Sequence, residues 1–452
     1  MLNIQPVADR SWQPTRGSRL PPVAALVVGL ALVGCRAVAL PPNSAWDAHH
    51  LPDLTGASVE VIGEWSGTEQ AAFTDVLHRF TALTHAKVTY DSGGNDINVL
   101  INSRLAGGRP PDVALIPEIG VAAQYAGRGA IEPLAGPAAG AVRANFSPAW
   151  QQLGTFDGKL YGFFYKVANK STVWYRTDAL AAAGVVPPDT WDQFLTVSAT
   201  VADSGTTAMA LPAADGWPAT DWFENIYLRV AGVYRYNQLT QHRIPWTDPT
   251  VVEALRIWAD YLTRPGFVER GATQLTFTQS VADVFGSAPK AAMLYEGDFV
   301  AGEIRKSGVV PVGGGARFFP FPSINGSPPS VVAGGDLALM FNDSTAAQAL
   351  MTYLAGPEAA AIWAREGGFV SANLKLDAAS AYPDRTTRAV ADALLHPTQL
   401  VYDQSDQSPQ AFGGQTAASE WSILTDFVRD PSDPERTAAR LEAAAIEDYR
   451  SL

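Results

Sequence analysis

The chain has 452 residues, too long for one compact core, and that length suggests roughly two to three domains. With 47% hydrophobic and 17% charged residues it is a globular sequence, not a disordered one. A formal net charge of −13 argues against nucleic-acid binding, which needs Lys and Arg to neutralise phosphates, and leaves a neutral ligand open.

At the N-terminus a polar lead carrying Arg10, Arg16 and Arg19 precedes the apolar run 23–33. This is an n-region and h-region of signal-peptide length, short for a transmembrane helix. The run ends in Leu32-Val33-Gly34-Cys35, which resembles the bacterial lipobox. A signal peptide over 1–34 and a lipidated Cys35 are therefore expected; a stray cysteine after an ordinary signal peptide is the alternative. Cys35 is the only cysteine, so no intramolecular disulfide can form. Each buried CH₂ contributes about 0.8 kcal/mol and stable anchoring takes more than one chain, which a multiply acylated cysteine satisfies. Residues 35–54 read as a lipid-anchored tether.

Val59-Glu60-Val61-Ile62 reads as a strand, and Ser66-Gly67-Thr68-Glu69 has capping-box spacing ahead of Phe73, Val76, Leu77 and Phe80 at helical intervals. Val88-Thr89-Tyr90 is a second strand, Ile97, Leu100, Ile101 and Leu105 mark a helix, and 112–116 is a third, nearly all-apolar strand. This β-α-β-α-β rhythm predicts an open doubly wound sheet that binds ligands beyond the carboxyl ends of its strands. Further on, Thr190-Trp191-Asp192-Gln193 is a capping box, and Asp248-Pro249, Ser344, Pro357 and Asp433-Pro434 each open a helix. The Gly/Pro-rich, aromatic stretch 309–330 reads as a crossing between lobes, with a mobile loop at Gly313-Gly314-Gly315.

Enzyme motifs are missing from the sequence. The six histidines form no H-x-x-x-H or H-E-x-x-H pattern, and one cysteine cannot build a zinc cluster. There is no G-x-S-x-G, G-x-G-x-x-G or P-loop. Glu296 and Asp298 could serve as a glycosidase acid and base, and carboxylates also bind sugar hydroxyls. No enzyme activity, cofactor or metal is expected.

Several segments occur together in order: Gly108-Arg109-Pro110-Pro111-Asp112-Val113, Asp157-Gly158-Lys159-Leu160-Tyr161-Gly162, Val173-Trp174-Tyr175-Arg176 and Trp222-Phe223-Glu224-Asn225. They continue with 291–299 and Gly334-Gly335-Asp336. Following a lipobox, this series resembles the extracellular solute-binding proteins of ABC sugar importers, in the maltose- and α-glucoside-binding branch. The resemblance implies a type II periplasmic-binding-protein fold, α/β, with two doubly wound lobes, three crossings and a ligand cleft between the lobes. On it, the N-terminal lobe takes 55–165 and 323–366, the C-terminal lobe takes 169–318 and 370–452, and the crossings lie near Lys166, Phe321 and Phe369. It further implies a monomer, lipid-anchored to the outer face of the cell membrane, that delivers a small carbohydrate to ABC permease subunits. A glycerophosphodiester or polyol on the same fold, or a secreted glycoside hydrolase, remain the alternatives.

A sugar presents hydroxyls that suit carboxylates and amides, and C–H faces that suit rings. Strand ends offer Glu64, Trp65, Asn95, Asp96 and Glu118, the last where the family places a hydroxyl-binding acid. Trp217, Trp222 and Asn225 are grouped at a helix start, and Tyr295, Glu296, Gly297, Asp298 and Phe299 align with the family's aromatic-bearing loop. Gly335 and Asp336 face the cleft by resemblance, with Phe412 and Gln415 on its far side. Second readings stay open: Trp65 and Trp222 as core, Glu64 as a partner of the following helix's N-terminus, and Asp96 as an N-cap. Ile116 and Phe299 stand where maltose binders carry tryptophans, which argues against maltodextrin itself.

Overall fold

The computed structural model describes residues 50–414 and 418–450. The signal peptide, Cys35, most of the proposed tether and Gln415 lie outside the described residues. Alternating apolar residues start the fold: β1 (Ser58–Gly63), β2 (Lys87–Ser92) and β3 (Val113–Ile116) pair in parallel with β1 central, as the rhythm predicts. Every residue of β3 is buried, in keeping with helices on both faces. The helices are α1 (Gly67–Thr84), α2 (Ile97–Ala106) and α3 (Ile119–Gly127). Phe73, Val76, Leu77 and Phe80 of α1 all enter the first core.

After a short hairpin of β4 (Thr155–Phe156) and β5 (Lys159–Leu160), the chain lays β6 (Gly162–Asn169) into the same sheet. β7 (Thr172–Arg176), β8 (Thr207–Ala210), β9 (Ala291–Tyr295) and β10 (Ala316–Pro320) build a second sheet in the order β10-β7-β9-β8. Only β8 and β9 run parallel there, so the second lobe is mixed. β11 (Ser330–Met340) and β12 (Gln399–Tyr402) return to the first sheet, whose order is β12-β11-β3-β1-β2 with β6 also on β11. The glycine triplet is a tight turn into β10, with Gly313 N donating to Ala316 O at 2.8 Å.

Three boundaries differ from expectation. Leu54, assigned to the tether, is buried in the first core, and its N–H donates to Thr84 O at 2.6 Å. Val370, Ala372, Tyr382, Ala391, Leu394 and Tyr402, placed by resemblance in the second lobe, pack with the first core because β12 extends its sheet. The chain thus passes between sheets at Lys170–Ser171, over 321–329 and just after Tyr402, in place of Lys166 and Phe369. The capping boxes diverge as well. Thr190 and Gln193 form theirs reciprocally, whereas Ser66 makes no side-chain cap and Glu69 turns to Lys166 instead of closing the box.

Candidate functional site

Topology brings acids to one wall. β1 ends at Gly63 and β3 at Ile116, so Glu64 and Glu118 follow the carboxyl ends of neighbouring parallel strands, the second of which pairs with β11. Leu337 pairs with Ile116, and the register of β11 against β6 shifts between Asp336 and Leu337. Gly335, at φ 150°, permits the close approach: a Cβ there would sit 2.4 Å from Lys166 O. Asp336 lies opposite Lys166, whose Nζ donates to Glu69 Oε1 at 2.5 Å and stands over the Trp65 and Phe299 rings at 5.9 and 5.4 Å.

Trp217, the first residue of helix Trp217–Thr240, which is broken by a non-helical Gly232 (φ 75°) beyond Arg229, faces this wall with Phe277 and Phe299. The three rings meet at centroid distances of 5.2–5.8 Å. Between the two walls lies a cavity of about 340 Å³. Eight of the sequence-derived candidates line it: Glu64, Trp65, Asn95, Glu118, Trp217, Phe299, Gly335 and Asp336. Trp65 is also packed against Phe73 and Trp363, so it both lines the cavity and belongs to the first core.

The other candidates among the described residues do not line the cavity. Asp96 is exposed at the start of α2 and makes no capping hydrogen bond. Trp222 is core, stacked on Trp258 at 6.3 Å, because five residues along a helix turn it about 140° from Trp217. Asn225 and Tyr295 donate to Lys170 O at 2.8 and 2.7 Å, holding the chain that carries a cavity-lining lysine. Glu296 is buried with both carboxyl oxygens unpartnered, and burial pushes its pKa well up. Asp298 accepts from Asn169 N at 2.6 Å, and burial pushes its pKa up to about 6. Gly297 O accepts from the Trp174 indole, and a Cβ at Gly297 would strike the Phe299 ring. Phe412 is core against Trp246.

Sequence reading missed Glu69, Lys166, Lys170, Asp215, 276–278, Asp406 and Trp421, all of which line the cavity. Lys170 had a usable signal: a lysine beside a lobe crossing must be paired once buried. Its Nζ donates to Asp221 Oδ1 at 3.1 Å and Asp403 Oδ2 at 2.5 Å, with Asp406 at 3.8 Å. Burial disfavours its charge, but these three acids hold its pKa well above the ordinary lysine value. Oxygens of Asp221, Glu224 and Asp403 lie within 4.8 Å of one another, and Lys170 supplies the cation to this group.

On the first wall burial raises the pKa of Glu118, Asp336 and Glu64, and Asp336 and Glu118 push Glu64 further up. Five polar atoms of cavity-lining residues have no hydrogen-bond partner among the described residues. They are the indole N–H groups of Trp65 and Trp421 and one oxygen each of Glu118, Asp336 and Asp406.

The family profile of bacterial extracellular solute-binding proteins matches residues 75–390. The chain belongs to that family. Among its relatives, the osmoprotective compounds-binding protein GgtB of Synechocystis sp. is 31% identical over 385 residues, spanning 82% of this chain and 88% of that protein. The alpha-glucosides-binding periplasmic protein AglE of Rhizobium meliloti is 29% identical over 406 residues, spanning 85% and 86%. Among solved structures, the bacterial solute receptor AcbH, with an exclusive preference for β-D-galactopyranose, superposes with a TM-score of 0.76 at 21% identity. The alignment covers 86% of this chain and 98% of that one, and it shows the shared periplasmic-binding-protein fold. This solute-binding protein has the two-sheet α/β architecture that the sequence resemblance implied. No helix among its described residues is long and apolar enough to cross a membrane.

Proposed function

We propose that this solute-binding protein captures a small neutral carbohydrate in the cavity and delivers it to an ABC permease, without catalysis. The five polar atoms without a hydrogen bond among the described residues carry the reading. Two are N–H donors and three are carboxyl oxygens, set among aromatic rings. Hydroxyls accept and donate at once, and sugar C–H faces pack on rings. The volume, about 340 Å³, falls at the low end of the roughly 300–1,000 Å³ usual for small-molecule sites, which favours one or two sugar rings over a long chain. The named ligands of AglE and AcbH are sugars, which supports the same class here.

The competing ligands fit less well. A phosphodiester wants free cations, but Lys166 and Lys170 are committed to acids and no arginine among the described residues lines the cavity. A hydrolase would need Glu296 and Asp298 at the cavity, where neither lies. The lobes are assigned as 54–169 with 330–402 and 172–320 with 403–450, and the protein works as a monomer. Cys35 is the lipid anchor at the outer face of the membrane; Cys35→Ser is expected to move the protein from the membrane fraction to the soluble one.

Thermal shift against maltose, trehalose, sucrose, galactose and glycerophosphocholine, with product chromatography, tests the ligand class. A sugar at about 100 times its Kd should stabilise the fold by about 2.7 kcal/mol and be recovered intact. Stabilisation by glycerophosphocholine alone, or release of cleaved sugar, would overturn the reading.

A further inference from the structure

The helix that presents Trp217 to the cavity has a second use for the turns that follow. Asp221, Glu224, Asn225 and Arg229 stand at i, i+3, i+4 and i+8, so they share one face of helix Trp217–Thr240. All four are buried. Together they reach every one of the three passages between the sheets.

At the first passage, Asp221 holds Lys170 Nζ at 3.1 Å, and Asn225 donates to Lys170 O at 2.8 Å while accepting from Ser171 Oγ at 2.6 Å. The same Ser171 hydroxyl oxygen accepts from Val332 N at 2.9 Å, tying this passage to the start of β11. At the second, Arg229 Nη2 donates to Phe321 O at 3.1 Å and Ser330 O at 3.0 Å, which are the two ends of the connection. At the third, the Glu224 carboxylate accepts from Gln404 N at 2.8 Å and Ser405 N at 3.1 Å. Lys170 closes the set by bonding Asp403 across from the first passage to the third.

Arg229 is informative because burying an arginine is costly and its site holds no acid. Its partners are backbone carbonyls, the Asn225 amide oxygen and the face of Phe321 at 4.7 Å. A guanidinium with five fixed donors can grip several carbonyls simultaneously, which a core leucine could not do.

We infer that Asp221, Glu224, Asn225 and Arg229 are positioning residues: one helix face clamps all three passages and sets the balance between open and closed arrangements of the lobes. Trp217 sits at the cavity end of that helix, and Arg229 lies twelve residues, or about 18 Å, further along. Ligand contact at Trp217 and the geometry of the passages are thereby borne by one rigid element. Affinity becomes adjustable from residues that never touch ligand, since only the closed arrangement binds fully. The inference rests on the two-lobed solute-binding fold and is independent of which solute is bound.

The test reads the lobes directly and without ligand. In the full chain carrying Cys35→Ser, spin labels are placed through Val99→Cys in the first lobe and Val186→Cys in the second, both at exposed positions. Pulsed electron resonance then gives the distance distribution between them. Arg229→Gln and Asn225→Ala are expected to shift or broaden that distribution relative to the parent. Trp258→Phe, a core change whose ring partners Trp222 and Phe427 lie outside the passages, should leave it alone. Ser171→Ala removes one hydroxyl and is the mild variant should the others fail to fold. The parent distribution in folded Arg229→Gln, or in Ser171→Ala if that alone folds, overturns the clamp, as does an equal shift in Trp258→Phe. The sugar that most raises Tm should also change its Kd by about fivefold or more in the shifted variants.

Discussion

Glu64 shows how a single side chain at the cavity can make the protein sensitive to pH. Burial raises its pKa well above the ordinary glutamate value, and the carboxyls of Asp336 and Glu118 push the same way against the opposing Lys166. The folded state therefore favours the protonated form. Its contribution is fully present below the unfolded glutamate pKa and is lost as pH rises through the raised value. Glu64→Gln keeps the shape and removes the titration, so Tm should fall less between pH 5 and pH 8 in the variant than in the parent. Each unit of pKa difference corresponds to about 1.4 kcal/mol. Scanning fluorimetry across that range decides; parallel pH slopes would mean that Glu64 is ionised in the folded state. Lys170 works in the opposite sense. Burial alone would raise the pKa of Asp403, but Lys170 holds it below the ordinary value, so this pair gives stability that is lost only in acid. Lys170→Met leaves Asp221 and Asp403 buried without their cation and should cost about 3–5 kcal/mol in urea denaturation at neutral pH. A loss under about 1 kcal/mol would show that these acids take up protons instead.

At the scale of elements, helix Trp217–Thr240 separates a cavity-lining ring from a core ring within two turns. Trp217 is half-buried at the cavity, whereas Trp222 is wholly buried among Trp258, Tyr261, Tyr295 and Phe321. Trp222→Ala should cost about 3–5 kcal/mol of stability. Trp217→Ala should leave the urea midpoint nearly unchanged while weakening the stabilising sugar at least about tenfold, as loss of a ring anchor does. Calorimetric titration of both variants checks the pair, and the reverse pattern would exchange their roles. The two tryptophans illustrate what the sequence could tell. It placed both at a helix start, but which one faces the cavity depends on where the helix begins, and that is fixed by Gly216 (φ 82°) directly before Trp217. Local signals that satisfy themselves were legible: the Thr190 capping box, the Asp248-Pro249 start and the all-apolar β3 form as read. The Ser66 box was not: Glu69 pairs with Lys166, 97 residues away, instead of closing it.

For the whole molecule, the first wall of the site was legible and the second largely was not, for one reason. Glu64, Glu118 and Asp336 each follow or sit within an apolar strand, so the rule that ligands bind at strand ends finds them. Asp215, Phe277, Asp406 and Trp421 come from four separate helical segments with no shared local pattern, and only the return of the chain after β12 brings the last two to the cavity. The charge of the molecule then gives a test that needs no mutation. With a net charge of −13 and six acids against two lysines at the cavity, the protein repels anions and attracts cations over distances set by salt. The Debye length falls from about 30 Å at 0.01 M to about 3 Å at 1 M ionic strength. A neutral sugar feels none of this, so its Kd should change by less than about twofold over that range. A phosphodiester would bind more tightly as salt screens the repulsion, and an amine-bearing solute less tightly. Titration calorimetry at the two salt extremes with the sugar that raises Tm thus separates a neutral ligand from a charged one, and a steep trend in either direction would exclude the neutral carbohydrate.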